Sequence, residues 1–381
     1  MNFEQSGEFT EAVATGPNGA GCLAFERPLA DLESQIVELE ILQESKGVNY
    51  RPEIRLLRSN LAKLTSKIYK NLSAWETVQV ARHPRRPLLM DYIQMVAKDF
   101  RELHGDRYFG DDRAMVTGFA RIGRQKVMIV GHNKGRDTKE KVACNFGCAQ
   151  PEGYRKAMHK MKLAEKFGVP IVCFIDTPGA YPGIGAEERG QAEAIAVNLM
   201  EMSRLKVPIV CIVVGEGGSG GALGIGVGDS LAMLQYAWYS VISPEGCAAI
   251  LWKDGSKAEI AANALRLTSR DLVELNVMDH VVPEPLGGAH RNPHEMGHLL
   301  ENYIVKALRK LKRVKVEKLL EDRYQRLRAI GKVEINEKIK QVDQANHQKS
   351  KRTKPGKSNG AKVNTNIEIP AKRNVKRRVV S

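Results

Sequence analysis

The sequence predicts an α/β fold built around parallel strands, and three observations carry that prediction. Two short apolar runs, 170–175 and 208–214, flank a stretch from about Glu187 to Arg204 that reads as a helix. Strand, crossover helix and strand imply parallel pairing buried on both faces. Each run then enters a glycine-rich loop that opens another helix, 176–185 and 215–222, and parallel α/β sheets bind ligands beyond the carboxyl ends of their strands.

The other elements follow in chain order. Residues 1–24 are polar and glycine-rich and are expected to be disordered. Leu29, Leu32, Ile36, Leu39 and Leu42, then Ile54, Leu57, Leu61, Leu64 and Ile68, recur at three- and four-residue steps, which predicts two amphipathic helices folded as an antiparallel arm. A further helix is expected over 88–103, stopped by Gly105. Residues 115–122 and 126–130 are rich in β-branched side chains around Gly123-Arg124-Gln125, a hairpin signal. Pro151 opens a helix at its first turn and Gly168 closes it. Short strands are expected near 231–234, 240–242 and 278–282, and a long basic helix over 301–340.

Composition bounds the function. The 381 residues allow two or three compact units. A content of 43% apolar and 27% charged residues excludes a wholly disordered chain. The longest apolar run, 207–214, has eight residues, against roughly 20 for a membrane span, so no membrane contact is expected. Arg27 is the first basic residue and no leader is legible, which makes the cytoplasm the expected location. The six cysteines are too sparse for a disulfide scaffold and read as reduced thiols; Cys144 and Cys148 lack a second ligand pair, so no metal is expected. The net charge is +15, and residues 346–381 supply +10 of it through eleven basic side chains against Glu368. That stretch reads as a disordered basic tail. Without interleaved aromatics, a solvated, solubilising tail is preferred over a nucleic-acid arm.

The glycine loops carry the chemistry. Glycines let a ligand approach the backbone, and N–H groups at a helix start can face developing negative charge. Candidate ligand contacts are Gly179, Ala180, Tyr181, Pro182 and Gly183 in the first loop and Gly217, Gly218 and Ser219 in the second. Three rival motifs are weaker. Gly215-x-Gly217-x-x-Gly220 matches a dinucleotide fingerprint, but Asp229 comes too early for its acidic partner. Gly217-x-Ser219-x-Gly221 matches a nucleophile elbow, with Asp229 or Asp254 and His280 or His290 as partners in chain order only. His294-Glu295-Met296-Gly297-His298 matches H-E-x-x-H, but Gly297 weakens the helix and a surface helix start after Pro293 explains it better.

Several ordered segments resemble one family: Ala81-Arg82-His83-Pro84, Lys134-Gly135-Arg136 to Lys141, Pro151-Glu152-Gly153-Tyr154-Arg155-Lys156, 175–190, 215–222, 241–247 and 283–293. From about Phe25 to Leu327 the chain is similar to α subunits of the bacterial and plastid-type acetyl-coenzyme A carboxylase carboxyltransferase. The resemblance implies a ClpP/crotonase-like spiral of ββα units over 111–312, preceded by a helical region over 25–110 and followed by a basic helical extension over 313–345. It implies carboxyl transfer from carboxybiotin on a separate carrier protein to acetyl-coenzyme A, giving malonyl-coenzyme A. A zinc-ribbon β subunit in an α2β2 assembly, the biotin carboxyl carrier protein and biotin carboxylase are the implied partners. Gly220 and Gly221, with Ala222 adjacent, would donate main-chain N–H groups to the biotin ureido oxygen. Lys134, Arg136 and Lys139 are candidate phosphate or carboxylate contacts, with a solvated surface as the equal alternative. A self-contained acyl-coenzyme A hydratase or isomerase is the alternative, with Glu187 and Glu188 as its nearest acid/base candidates.

Overall fold

The computed structural model describes residues 21–330. The expectations for 1–20 and for 331–381, basic tail included, lie outside the described residues.

Helices α1 (Arg27–Lys46) and α2 (Arg51–Lys70) form the expected hairpin. Its base is built into the body: Leu29 and Tyr69 are buried against Val80 and Tyr236. The Tyr69 hydroxyl donates to Glu26 at 2.7 Å, and Arg291 donates to Glu26 and Glu33. Val37, Ile41, Val48 and Leu56 farther along remain exposed. Burial raises the Glu26 carboxyl, but the nearby His290 imidazole, with hydrogen bonds from the Tyr69 hydroxyl and the Leu23 N–H, outweighs it and holds it at about 2. Burial, with the neighbouring His290, pushes His83 down to about 4. Both groups bind protons more readily unfolded, so their stabilisation is complete above pH 6.5 and drains as pH falls toward about 2. Acid unfolding beginning below pH 6.5 is therefore expected by circular dichroism; a fold unchanged at pH 2 would contradict the network.

Helix α3 (Ala74–Ala81) starts at a capping box in which Ser73 accepts the Glu76 N–H. Helix α4 (Leu89–Val96) follows, but the helix expected to reach 103 stops there. Residues Ala97–Glu102 form strand β1 instead. Lys98, Asp99, Arg101 and Glu102 offer no apolar stripe for a helix to bury. Antiparallel pairing with the edge of β2 (Met115–Ile122) satisfies their backbone, across a register shift that holds Asp99 at φ 54°.

Strands β2 and β3 (Gln125–His132) make the predicted hairpin, Met115 opposite His132 and Ile122 opposite Gln125. Helix α5 (Thr138–Ala143) leads to α6 (Pro151–Lys166), and β4 (Ile171–Thr177) and β5 (Ile209–Gly218) then pair in parallel. Every residue of β4 and β5 is buried; each large aliphatic side chain so buried contributes about 1.5–3 kcal/mol. The crossover splits into α7 (Ile184–Glu188) and α8 (Gln191–Arg204), because Gly190 takes φ 80° between them. After α9 (Ser219–Leu223) come β6 (Ser230–Leu234) and β7 (Trp238–Ser240), then α10 (Pro244–Trp252), α11 (Ala258–Leu265), α12 (Ser269–Glu274) and β8 (His280–Val282). The sheet order is β1-β2-β3-β4-β5-β6-β8, with β7 paired to the outer end of β5. Apart from β7, this mixed α/β sheet follows chain order.

The long basic helix expected over 301–340 is interrupted: α13 (Pro293–Leu311) and α14 (Val316–Arg328) are separate. Helix α14 packs into the body through Arg323, which is 1% exposed and bound to Asp229. Cys173 and Cys211 are register neighbours in the core. No helix of the described residues is long and apolar enough to cross a membrane.

Candidate active site

Strands β4 and β5 end side by side, and the two glycine-rich segments follow. The second differs from the expected loop: Gly215 to Gly218 continue β5, with Gly217 opposite both Thr177 and Tyr239. The turn proper is Gly218-Ser219, where Ser219 is exposed and holds φ 55°, a left-handed conformation uncommon for a side-chain-bearing residue. Gly220, Gly221 and Ala222 lie in the first turn of α9, so no carbonyl four residues back within the helix takes the N–H groups of Gly220 and Gly221.

The first segment packs against this turn with no side chain between. A Cβ on Gly221 would lie 2.5 Å from the Ala180 nitrogen and overlap the Gly179 carbonyl carbon; one on Gly218 would overlap the Pro178 carbonyl. At Gly220, by contrast, a Cβ would meet only Ile195 Cδ1, at 3.8 Å, and at Gly179 nothing within 4 Å. Bare backbone thus faces open space at Gly179 and Gly220, while Gly218 and Gly221 close the joint between the turns.

The joint is held from several sides. Thr177 Oγ1 donates to the Gly179 carbonyl at 2.7 Å and accepts the Gly179 N–H. Gln191 Nε2 donates to the carbonyls of Ala149 and Tyr181, at 2.8 and 3.0 Å. Gly183 sits against the Tyr181 ring, and Pro182 is exposed. Beneath α9, the buried Asn198 donates to the carbonyls of Tyr154 and Gly224. None of these clamps was recognised from sequence; the only available signal was polar residues inside apolar helix stretches.

Charged side chains gather just below. Lys134 Nζ contacts Asp176 at 2.6 Å and Glu216 at 2.8 Å; Arg82 binds Glu216 and Glu245. Burial raises the Glu216 carboxyl, yet Lys134 and Arg82 together hold it at about 2. Lys134 is therefore an internal counter-charge, neither the free ligand contact nor the solvated charge considered from sequence. Arg136 pairs with Asp91, and Lys139 is exposed.

The rival motifs find no matching geometry. Among the described residues no hydrogen bond reaches the Ser219 hydroxyl. Asp229 is tied to Arg323, Asp254 caps Ser256, His280 lies against Tyr303, and His290 stacks on His83. Asp229 also accepts the Ile209 N–H, which leaves the dinucleotide fingerprint without its acid. Glu187 and Glu188 are exposed on α7. The H-E-x-x-H segment opens α13 under an Asn292 cap, with Gly297 packed on Met95. The buried group Glu26, His83 and His290 could be drawn as a metal site. His83, however, accepts the Arg85 N–H on Nδ1 and so must donate through Nε2 to the Gly21 carbonyl, which leaves it no lone pair for an ion.

Comparison with known proteins places the chain in a family. The family model described as acetyl co-enzyme A carboxylase carboxyltransferase-like matches residues 22–331. The acetyl-coenzyme A carboxylase carboxyl transferase subunit alpha of Xanthomonas oryzae pv. oryzae is 57% identical over 312 residues, 82% of this chain and 98% of that protein. The subunit of the same name from Rhodopirellula baltica is 56% identical over 310 residues, 81% and 97% of the two chains. Among solved structures, a transcarboxylase 12S chain aligns at a TM-score of 0.46 and 23% identity over 58% of this chain and 42% of that one. With both the family model and these relatives spanning about four-fifths of its length, the chain belongs to the acetyl co-enzyme A carboxylase carboxyltransferase-like family.

Proposed function

We propose that this chain is the α subunit of an acetyl-coenzyme A carboxylase carboxyltransferase. It holds the carboxybiotin side of a reaction that moves a carboxyl group from biotin, borne by a separate carrier protein, to acetyl-coenzyme A, giving malonyl-coenzyme A. The observation that carries this reading is the side-chain-free surface at Gly179 and Gly220 beside the first-turn N–H groups of α9. Carboxybiotin, as substrate, brings a carboxyl group on N1 and a ureido oxygen that gains charge when that group leaves.

The chain's own residues fit that demand. Gly220 and Gly221 present fixed main-chain donors where the oxygen becomes negative, and such donors stabilise the transition state without reorganising. Pro178 to Tyr181 form the opposite wall, with Tyr181 pinned through its own N–H and carbonyl. With the carboxyl group leaving as carbon dioxide, the electron pair of the N1–C bond would stay on the ureido group, which would take a proton from the acetyl methyl carbon. The carbanion so formed would attack the carbon dioxide to make the new C–C bond, so the site needs no enzymatic acid or base. The ion-paired Glu216 and exposed Glu187 and Glu188 are consistent with this and disfavour a hydratase or isomerase.

The remaining assignments belong to the same proposal: a zinc-ribbon β subunit in an α2β2 assembly, biotin carboxyl carrier protein and biotin carboxylase as further partners, and a cytoplasmic location. Reconstitution with a β subunit tests it. Malonyl-coenzyme A should form from acetyl-coenzyme A and carboxybiotin carrier only when both subunits are present, and Ser219→Ala should retain most of the rate. Absence of product, or loss of activity in a folded Ser219→Ala chain, would overturn the reading in favour of a different chemistry.

A further inference from the structure

The charges below the turns join the stems of both. Asp176 is the penultimate residue of β4, and Glu216 lies two residues before the end of β5. The Asp176 carboxylate accepts the Glu216 N–H at 2.9 Å. Lys134, just past β3, reaches both carboxylates. Gly215 makes this fit possible, since a Cβ there would lie 2.5 Å from Asp176 Oδ1. Asp176 and Glu216 are both nearly sealed from solvent, so neither is balanced by water.

We propose that Lys134 is a positioning residue for carboxyl transfer: by bridging Asp176 and Glu216 it holds β4 and β5 at the separation that lets Gly179 and Gly221 meet backbone to backbone. This rests on the function proposed above. The other charged or titratable groups facing the cluster are Arg82 and Glu245 on the Glu216 side, His132 on β3, Cys148, and Arg86 and Tyr92 toward Asp176. Arg82 reaches Glu216 but is not paired with Asp176. Without the ammonium, two buried carboxylates would confront each other. Like charges in that position force one to take up a proton, and the resulting O–H can donate to its neighbour. The tie would then re-form at low pH and fail at high pH.

Lys134→Met is the test, in the α–β complex with malonyl-coenzyme A and free biotin as probes, rates being taken relative to the parent complex at each pH. The expected relative kcat approaches the parent at low pH and falls about tenfold per unit once the shared proton is lost, with the KM for biotin little changed. Lys134→Arg should restore a flat ratio. A pH-independent ratio, or equal loss by Lys134→Met and Lys134→Arg, would overturn the proposal. A crystal structure of the Lys134→Met chain gives a readout independent of activity: near pH 8 the Gly179–Gly221 joint should open, and an unmoved joint would refute positioning. If the parent complex transfers no carboxyl group, the proposed function fails, while this structural result still decides the role of Lys134.

Discussion

Replacing Gly221 with alanine is expected to lower kcat for carboxyl transfer by about 10²- to 10³-fold, the usual effect of losing one oxyanion donor, while the chain stays folded. The reason is steric. The new methyl group would overlap the backbone of Gly179 and Ala180, which no rotamer change can relieve, so the α9 turn must swing its N–H groups away. Gly220→Ala is the informative contrast. Its Cβ touches only the tip of Ile195 and projects into the open space proposed for biotin. That variant should raise the KM for biotin with little change in thermal stability. Steady-state assays of the reconstituted complex separate the two. Equal effects on kcat from both variants would mean that the joint does not orient the donors.

Loss of Arg323 should produce the largest stability change. Its guanidinium donates to both Asp229 oxygens, at 2.8 Å each, and to the carbonyls of Met202, Leu205 and Val207. Arg323→Met would leave a buried carboxylate and three carbonyls without this partner. Removing one member of a buried ion pair typically costs about 3–5 kcal/mol. Urea unfolding of the isolated chain should show that loss. Arg323→Lys should recover only part of it, since a single ammonium cannot reach both Asp229 and the carbonyls of Met202, Leu205 and Val207. A change below about 1 kcal/mol would mean that α14 contributes little to the body.

These two sites also mark what could be read from sequence. The apolar runs of β4 and β5 and the glycine turns after them were legible because burial on both faces and main-chain exposure leave direct traces in residue type. Strand β1 was not legible. Its residues carry charges on a short segment after a helix, and only the edge of β2, fifteen or more positions onward, decides their conformation. Residues 215–218 looked like a loop because four residues, three of them glycine, carry no strand propensity; pairing with β7 and Thr177 overrides it. The buried ion pairs of Lys134, Arg82 and Arg323 were not legible because local sequence does not reveal that their partners, Asp176 on β4, Glu216 on β5 and Asp229 just before β6, close over them from distant parts of the chain. Gln191 and Asn198 were hidden likewise, as ordinary polar residues of an amphipathic helix that clamp carbonyls on neighbouring loops.

A crystal structure of the α–β complex with biotin bound tests the central claim most directly. The account predicts the ureido oxygen about 2.7–3.1 Å from main-chain nitrogens of Gly220 and Gly221, with the ring lying against Gly179. A ureido oxygen held instead by side chains, or a biotin ring seated away from the α9 turn, would contradict it.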